Sequence, residues 1–217
     1  MRDRSTGDLF DEPGDREPLA PGALWLKGFA RDDAREIFAD ILRIAKVSPF
    51  RHYSTAGGRR VAAAMTTCGG LGWISDARGY RYSPTDPEIG APWPEMPERF
   101  LRLASEAAAL AGYEAFSPDT CLINRYSPGT TMGVHRDDSE RAFDAPIVSV
   151  SLGLAAIFAF GGADREEPLR RIRLIHGDVL VWGGPSRLAY HGVGGPDPGE
   201  HPVTGPYRYN LTFRRAG

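Results

Sequence analysis

The chain has 217 residues, of which 41% are hydrophobic and 25% charged, and its formal net charge is -2. These totals fit one globular domain with a sizeable core, and they exclude a strongly basic protein that binds polyanions through bulk charge. Two cysteines, Cys68 and Cys121, cannot form a disulfide framework. They favour a reducing compartment, so we expect a cytoplasmic protein with neither a secretory signal nor a membrane anchor.

The first half of the chain predicts two helices around a loop-rich segment. Residues 1–17 are polar and charged and predict a flexible tail, and residues 18–217 predict a single domain. An apolar stripe predicts a helix over residues 33–46, with Asp33 and Glu36 in the spacing of a capping box. A second stripe, ended by Gly112, predicts a helix over residues 97–111.

From Thr120 onwards the pattern changes to short strands. They are predicted at residues 120–126, 147–153, 156–160, 171–176, 178–182, 188–193 and 208–214. The stretch 145–163 carries no charge, but its Gly, Ser and β-branched residues favour two buried strands broken near Gly153 over a membrane helix. Strands at this density predict a mainly β protein with flanking helices, as an antiparallel sandwich or jelly roll.

Candidate metal ligands stand at His135 and Asp137, whose spacing of two residues places both side chains on one face of an extended strand. His191 is the candidate third ligand. Two imidazoles and one carboxylate that leave positions open are the ligand set of non-haem Fe(II) oxygenases. The alternative is that these are hydrogen-bonded structural residues, since a lone His-x-Asp pair also occurs by chance.

A polar face beside such a metal is predicted on the last strand. Alternation over residues 208–214 directs Arg208, Asn210 and Arg214 to one side and apolar side chains to the other. The planar fork of arginine suits carboxylates, and Asn124 and Tyr126 share a face of another predicted strand. Together they favour a dicarboxylate ligand, although a charged edge strand without function gives the same pattern.

Four ordered blocks carry a resemblance to a known family. They are Leu122-Ile123-Asn124-Arg125-Tyr126, Pro146-Ile147-Val148-Ser149-Val150-Ser151-Leu152-Gly153, His176-Gly177-Asp178-Val179 with Trp182-Gly183-Gly184, and Arg208-Tyr209-Asn210-Leu211-Thr212-Phe213-Arg214. With them the chain resembles the AlkB family of Fe(II)- and 2-oxoglutarate-dependent dioxygenases, which repair alkylated nucleobases. The resemblance implies a double-stranded β-helix, or jelly roll, over about 120–217 and a nucleotide-recognition lid over about 48–95, here called the lid segment.

The resemblance also implies roles for individual residues. Iron would be held by His135, Asp137 and His191, which form the catalytic centre, and 2-oxoglutarate by Asn124, Tyr126, Arg208, Asn210 and Arg214. The substrate contacts would come from Trp73, Tyr80, Tyr82, Arg165, Ser139 and Met65. The implied reaction uses molecular oxygen to hydroxylate an N-alkyl group of a base such as 1-methyladenine or 3-methylcytosine. The expected partner is therefore alkylated DNA, preferentially single-stranded, or RNA, and the expected state is a monomer without an obligate protein partner.

Two positions depart from the family pattern. Ser139 stands two residues after Asp137, where the prototype has an aspartate that faces the base, and Arg59 stands where an aromatic residue would follow the turn 55–58. Arg59 and Arg60 could contact phosphate or form a solvated charge pair. Two alternatives to DNA repair remain: the same chemistry on RNA, protein or a small molecule, and a jelly-roll binding module without catalysis.

Overall fold

Alternating and helical sequence patterns become thirteen strands and two helices within residues 16–217, the part of the chain that this computed structural model describes. Residues 1–15 of the predicted tail lie outside the described residues. The first strand begins at Arg16, so Arg16 and Glu17 are strand residues and not the end of a tail, as the sequence had suggested. Both pair with the second strand, through Leu26 and Trp25.

The strands have the following bounds: β1 Arg16–Ala20, β2 Ala23–Leu26, β3 Ala64–Gly69, β4 Gly72–Asp76, β5 Gly79–Ser83, β6 Thr120–Tyr126, β7 Met132–His135, β8 Ile147–Gly153, β9 Ala156–Phe160, β10 Arg170–Leu174, β11 Val179–Trp182, β12 His191–Val193 and β13 Arg208–Arg214. The helices are α1 Ala34–Val47 and α2 Glu98–Leu110, and a single 3₁₀ turn spans Gly184–Ser186.

Two antiparallel sheets and one separate hairpin result from the pairing of these strands. The larger sheet has the order β1-β2-β11-β8-β13-β6-β3, the smaller sheet has the order β10-β9-β12-β7, and β4 pairs only with β5. The crossovers between neighbours in the sheets are those of a jelly roll, because strands distant in sequence pair side by side. The predicted mainly β jelly-roll architecture is therefore confirmed.

The larger sheet has one face in the main core and one face towards the smaller sheet. In β13, Leu211 and Phe213 pack in a buried cluster with Ile37, Ile41 and Phe100 from the two helices. The alternate residues of β13 point to the opposite face, where the two sheets enclose a cavity. Strand periodicity thus divides the sheet into a structural side and a polar side.

Several element boundaries differ from those predicted. The strand predicted at 188–193 begins only at His191, because a 3₁₀ turn and irregular backbone precede it, and the strand predicted at 171–176 is shifted to β10. β7 was not among the predicted strands. The capping box is also absent: Asp33 makes no side-chain cap bond within its helix and instead accepts a 3.1 Å hydrogen bond from Arg99.

The lid segment is divided between the main sheet and the free hairpin. β3 belongs to the larger sheet through its pairing with β6, whereas β4 and β5 project as a two-stranded unit. A buried ion pair between Arg51 and Asp86 joins the two ends of the segment, with Nη2 and Oδ2 2.7 Å apart. No helix within residues 16–217 is long and apolar enough to span a membrane.

Helix α1 supplies a test of the core. Ile41 is fully buried, whereas its neighbour Leu42 is 46% exposed. We expect Ile41→Ala to lower the free energy of unfolding by about 2–5 kcal/mol, because it leaves a cavity between the helix and the larger sheet. Leu42→Ala, which removes a similar number of atoms, should change it by no more than about 0.5 kcal/mol. Urea denaturation of both variants measures the difference, and equal losses would contradict the assigned packing of α1.

Candidate metal and co-substrate site

Three candidate ligands converge at one end of the smaller sheet. His135 ends β7 and His191 begins β12, and these two residues are direct partners across the strands, with ring centroids 4.5 Å apart. Asp137 lies two residues beyond the end of β7, so it is a loop residue and not a strand residue, as the sequence had suggested. Its two carboxylate oxygens lie 3.8 Å from the Nε2 atoms of His135 and His191 respectively.

Hydrogen bonds set the imidazole tautomers for metal binding. The Nδ1 atom of His135 lies 2.8 Å from the carbonyl oxygen of Gly133, and that of His191 lies 3.0 Å from the carbonyl oxygen of Ala189. Each Nδ1 therefore carries the proton and donates it, which leaves the Nε2 lone pair free to bind a cation. The three ligand atoms lie within 4.8 Å of one another, and no other such group occurs within residues 16–217.

The charge states of the ligands also fit a metal. Burial lowers the pKa of His191 to about 4, so this imidazole is neutral near pH 7. Burial opposes ionisation of Asp137, but Arg214 and the two imidazoles outweigh it and hold the pKa of this carboxyl below its usual range. Arg214 donates two hydrogen bonds to one oxygen of Asp137, at 2.5 and 3.1 Å.

A wall of buried polar side chains adjoins the metal ligands. Its members, here called the anion wall, are Asn124, Tyr126, Arg208, Asn210 and Arg214. Arg208 is 1% exposed, and burial lowers its pKa. Its Nη2 donates to Ser151 at 2.8 Å, but its Nε and Nη1 have no hydrogen-bond partner among the described residues. Arg214 Nη1 and Asn124 Oδ1 are likewise buried without a partner in this part of the chain. Since buried polar groups are normally paired, the unpaired arginine nitrogens indicate an anionic ligand at this wall, whereas the Asn124 oxygen can only accept a hydrogen bond.

The remaining predicted co-substrate residues belong to the same wall. Asn210 is held by hydrogen bonds from its amide nitrogen to Ser149 and to the backbone of Val150, at 2.8 and 3.1 Å. Tyr126 is 1% exposed, and burial raises the pKa of its phenol to about 12, so it stays protonated as a donor. The phenol of Tyr126 can donate to a carboxylate oxygen of a dicarboxylate such as 2-oxoglutarate. Asn210 uses both of its amide hydrogens on Ser149 and Val150, so it lines the site without a free donor.

One cavity of about 580 Å³ is lined by the three ligands and the five predicted co-substrate residues. Trp73 and Tyr80 also line it and are here called the aromatic entrance. The residues that line it from the predicted substrate side are Met65, Trp73, Tyr80 and Ser139. Trp73 stacks on Tyr80 at a centroid distance of 5.3 Å and meets Tyr53 edge-on at 5.7 Å. Trp73 lies on β4, although the glycines around it had suggested a loop.

Two predicted substrate residues do not line this cavity. Tyr82 turns towards Glu140, to which its hydroxyl donates at 2.5 Å, and burial raises the pKa of this phenol. Arg165 lies exposed in the connection between β9 and β10. The chain thus brings all eight predicted metal and co-substrate residues together, but only four of the six predicted substrate residues.

The structure adds site residues that the sequence did not single out. Phe158 and Trp182 pack their rings against His191, at centroid distances of 5.8 and 5.2 Å. Each lies two residues from another inward-facing position of its strand, so the strand alternation could have identified it. Arg59 and Arg60, which the sequence had already singled out, also line the cavity and are exposed. Their guanidinium groups form no ion pair with any residue from 16 to 217.

Comparison with known proteins agrees with this geometry. Residues 22–214 match the family model of the 2OG-Fe(II) oxygenase superfamily. The chain is 54% identical over 211 residues to the alpha-ketoglutarate-dependent dioxygenase AlkB of Escherichia coli (strain K12), which covers 97% of this chain and 98% of that protein. It is 31% identical over 145 residues to the nucleic acid dioxygenase ALKBH1 of Homo sapiens, covering 66% of this chain and 36% of that one.

Similarity to a solved structure extends over nearly the whole fold. The structure of OsALKBH1 superposes with a TM-score of 0.79 at 30% identity and covers 92% of this chain and 99% of that chain. The fold and the site therefore define an Fe(II)- and 2-oxoglutarate-dependent dioxygenase, with molecular oxygen as the second co-substrate. Within that class, the chain belongs to the AlkB family.

Removal of one imidazole tests the metal centre. We expect His135→Ala to abolish turnover and to weaken Mn(II) binding, because two ligands remain where three converge. Isothermal titration of Mn(II) measures the binding without any reaction. His52→Ala, which changes an exposed histidine outside the ligand cluster, should bind Mn(II) like the parent protein. Unaltered Mn(II) affinity of His135→Ala would remove this residue from the ligand set.

Truncation of the buried guanidinium tests the anion wall. We expect Arg208→Ala to raise the concentration of 2-oxoglutarate needed for half-maximal binding by about 10- to 150-fold, the value of a lost hydrogen bond to a charged group. The exposed Arg171 on β10 provides the control, since Arg171→Ala should leave that concentration unchanged. Titration of 2-oxoglutarate into the Mn(II)-loaded protein gives the result, and equal affinity in both variants would exclude Arg208 as an anchor.

Proposed function

We propose that this dioxygenase oxidatively dealkylates N-alkylated bases, such as 1-methyladenine and 3-methylcytosine, in DNA and preferentially in single strands, as direct repair. The observation that carries the proposal is the single cavity in which an aromatic entrance, with Trp73 and Tyr80, faces a three-ligand metal centre. A flat base needs a stacking surface, and its alkyl group must reach the metal. One cavity supplies both requirements.

The protein residues hold and orient the reacting groups. His135, Asp137 and His191 would bind iron, and Arg208 with Arg214 would hold the two carboxylates of 2-oxoglutarate through the donors left unpaired in the wall. When bound, iron and 2-oxoglutarate with oxygen supply the oxidation that hydroxylates an N-alkyl carbon. The resulting hemiaminal collapses, which releases an aldehyde and the restored base.

The aromatic entrance supports a base that leaves its stack. A base within a duplex cannot reach an enclosed pocket, so it must flip out or come from a single strand, at a cost of a few kcal/mol. Trp73 and Tyr80 stack almost parallel, with an angle of 22° between their rings, and both line the cavity. We assign Trp73 and His135 to opposite faces of the base, with Met65 beside it.

Cationic side chains around the entrance support a polyanionic substrate. Arg59 and Arg60 line the cavity and have no carboxylate partner within residues 16–217, so they are available to phosphate oxygens. The phosphate contact that the family resemblance implies for Tyr80 fits its exposed position, at 55%. The phosphate contact implied for Tyr82, and the place near the base implied for Arg165, require the lid segment and the β9–β10 connection to approach the strand.

The base pocket has little free negative charge. Ser139 lines it with a neutral hydroxyl, and the neighbouring Asp138 is paired with Arg136 at 2.9 Å. Recognition of a cationic methylated base would therefore depend on stacking, because the charge of Asp138 is already balanced by Arg136. The human relative is named a nucleic acid dioxygenase, without restriction to DNA, so RNA is the alternative substrate.

The proposal includes a monomeric enzyme that needs no obligate protein partner and works in the cytoplasm. Two buried free cysteines support a reducing compartment. Residues 18–217 would act as one catalytic domain, and the lid segment would recognise the nucleotide. The seven-stranded sheet, which includes strands from both the lid segment and the proposed catalytic core, supports this division of labour within one unit.

A panel of oligonucleotides tests the proposal. Succinate release and restored base should be measured on matched DNA and RNA oligonucleotides, single- and double-stranded, that carry 1-methyladenine, 3-methylcytosine or no lesion. We expect stoichiometric dealkylation to be fastest on single-stranded DNA with a lesion. Faster turnover on RNA would reassign the substrate, and the absence of repair on every alkylated oligonucleotide would reject the proposal.

The stacking residue gives a mutational prediction. Trp73→Ala should raise the KM for a methylated oligonucleotide by about 5- to 150-fold, because base–aromatic stacking contributes roughly 1–3 kcal/mol per base. Affinity for 2-oxoglutarate should change far less than the KM, since Trp73 does not belong to the anion wall. Trp73→Phe should recover part of the loss. A parent-like KM in the alanine variant would count against stacking on Trp73.

A further inference from the structure

Glu140 is a buried carboxylate that the dioxygenase chemistry leaves without a role. It is 6% exposed and lies three residues after the metal ligand Asp137. Its Oε1 accepts the hydroxyl hydrogen bond of Tyr82 at 2.5 Å and lies 3.3 Å from Nε of Arg214. Its Oε2 pairs with Nη2 of Arg187 at 3.1 Å. Burial of a carboxylate is costly unless hydrogen-bond donors surround it, and three donors surround Glu140 here.

Arg187 extends the network to the main chain of the metal centre. It is 3% exposed, its Nη1 donates to the carbonyl oxygen of Asp137 at 2.9 Å, and its Nε donates to that of Ala145 at 3.0 Å. Arg187 follows the 3₁₀ turn and precedes His191 by four residues. One guanidinium therefore fixes the loop that carries Asp137 from the segment that leads to His191.

Arg214 provides the second connection to the same ligand. It is shared between Glu140, at 3.3 Å, and the Oδ2 atom of Asp137, at 2.5 Å. Its Nη1 is one of the buried donors that have no partner among the described residues. An anion bound at that donor would therefore act on a guanidinium whose orientation Glu140 also determines.

Tyr82 connects this network to the lid segment. It lies on β5, and the hairpin of β4 and β5 pairs with no other strand of the described chain. Trp73 is its direct partner across the hairpin, and it lines the cavity. The contacts thus run without a gap from the aromatic entrance through Tyr82, Glu140 and Arg214 to Asp137.

We propose that Glu140 is a positioning residue that couples the lid hairpin to the metal and 2-oxoglutarate site, with Arg187 fixing its second oxygen. A ligand bound at the anion wall fixes the orientation of Arg214. Arg214 and Arg187 fix Glu140, and Glu140 in turn fixes Tyr82 through its hydrogen bond. The hairpin is consequently more ordered when the metal and 2-oxoglutarate are bound, so the entrance takes its base-binding shape in the loaded enzyme. The coupling is reciprocal, because each end stabilises the same network. This inference deepens the proposed function and rests on it only for the identity of the base.

Hydrogen–deuterium exchange tests the coupling without any nucleic acid or turnover. The exchange of hairpin amides in residues 72–83 is measured in the full chain with and without Mn(II) and 2-oxoglutarate. We expect the ligands to slow it by at least about five-fold in the parent protein and by less than about two-fold in Tyr82→Phe and Glu140→Gln. Each variant is compared with its own ligand-free state, since a merely structural role would alter that state and leave the ratio intact.

Tyr113→Phe is the matched control. The hydroxyl of Tyr113 also donates a hydrogen bond across the fold, to the carbonyl oxygen of Gly22 at 2.9 Å, but it is outside the network. This variant should keep the parent ratio. If Glu140→Gln does not fold, Tyr82→Phe alone decides, because it removes one hydroxyl and leaves the ion pairs in place.

The outcomes separate this inference from the proposed function. A parent hairpin that ignores the ligands, or a Tyr82→Phe hairpin that responds like the parent, overturns the coupling whatever the oligonucleotide panel shows. A hairpin response lost in Tyr82→Phe and kept in Tyr113→Phe supports the coupling, even if no alkylated oligonucleotide is a substrate.

Discussion

The ion pair between Asp137 and Arg214 is the interaction on which the arrangement of the site depends. It joins the loop after β7, which belongs to the smaller sheet, to the last residue of β13 in the larger one. A buried carboxylate beside two imidazoles would otherwise gain a proton or be displaced towards solvent. With Arg214 in place, Asp137 stays ionised, its second oxygen faces His135, and the two sheets are held at the separation that forms the cavity.

The polar side of the larger sheet also carries buried positive charge. Arg208 and Arg214 are both less than a tenth exposed, and several of their nitrogens have no partner within residues 16–217. Unpaired buried guanidinium groups lower the stability of the folded protein, and an anionic ligand that pairs with them restores it. This destabilisation is confined to the site, because the opposite face of the same strand, with Leu211 and Phe213, belongs to the main core.

The substrate side is constructed on a different principle. The hairpin of β4 and β5 is not a member of either larger sheet in the described chain, and its Trp73 packs on Tyr80 within the hairpin and on Tyr53 outside it. A small two-stranded unit is marginally stable alone, so its position depends on the few contacts that link it to the rest. The hydrogen bond of Tyr82 to Glu140 is one such contact, and the packing of the buried Ile74 in a cluster with Leu122 of β6 is another. The position of the two metal-binding imidazoles is set by strand pairing within the smaller sheet, whereas the position of the aromatic entrance is set by side-chain contacts.

The sequence by itself predicted a mainly β sandwich or jelly roll and three candidate metal ligands. It also placed Arg208 and Asn210 on one face of a strand, because strand alternation does so whatever the tertiary context. The family blocks determined the chemistry, and the comparisons bear it out. Tertiary structure alone decided that Tyr82 faces Glu140 instead of the cavity, that Arg165 lies exposed, and that Arg187 holds the loop of Asp137. Those positions depend on loop paths and on partners 40 or more residues away, and no local period in the sequence encodes either.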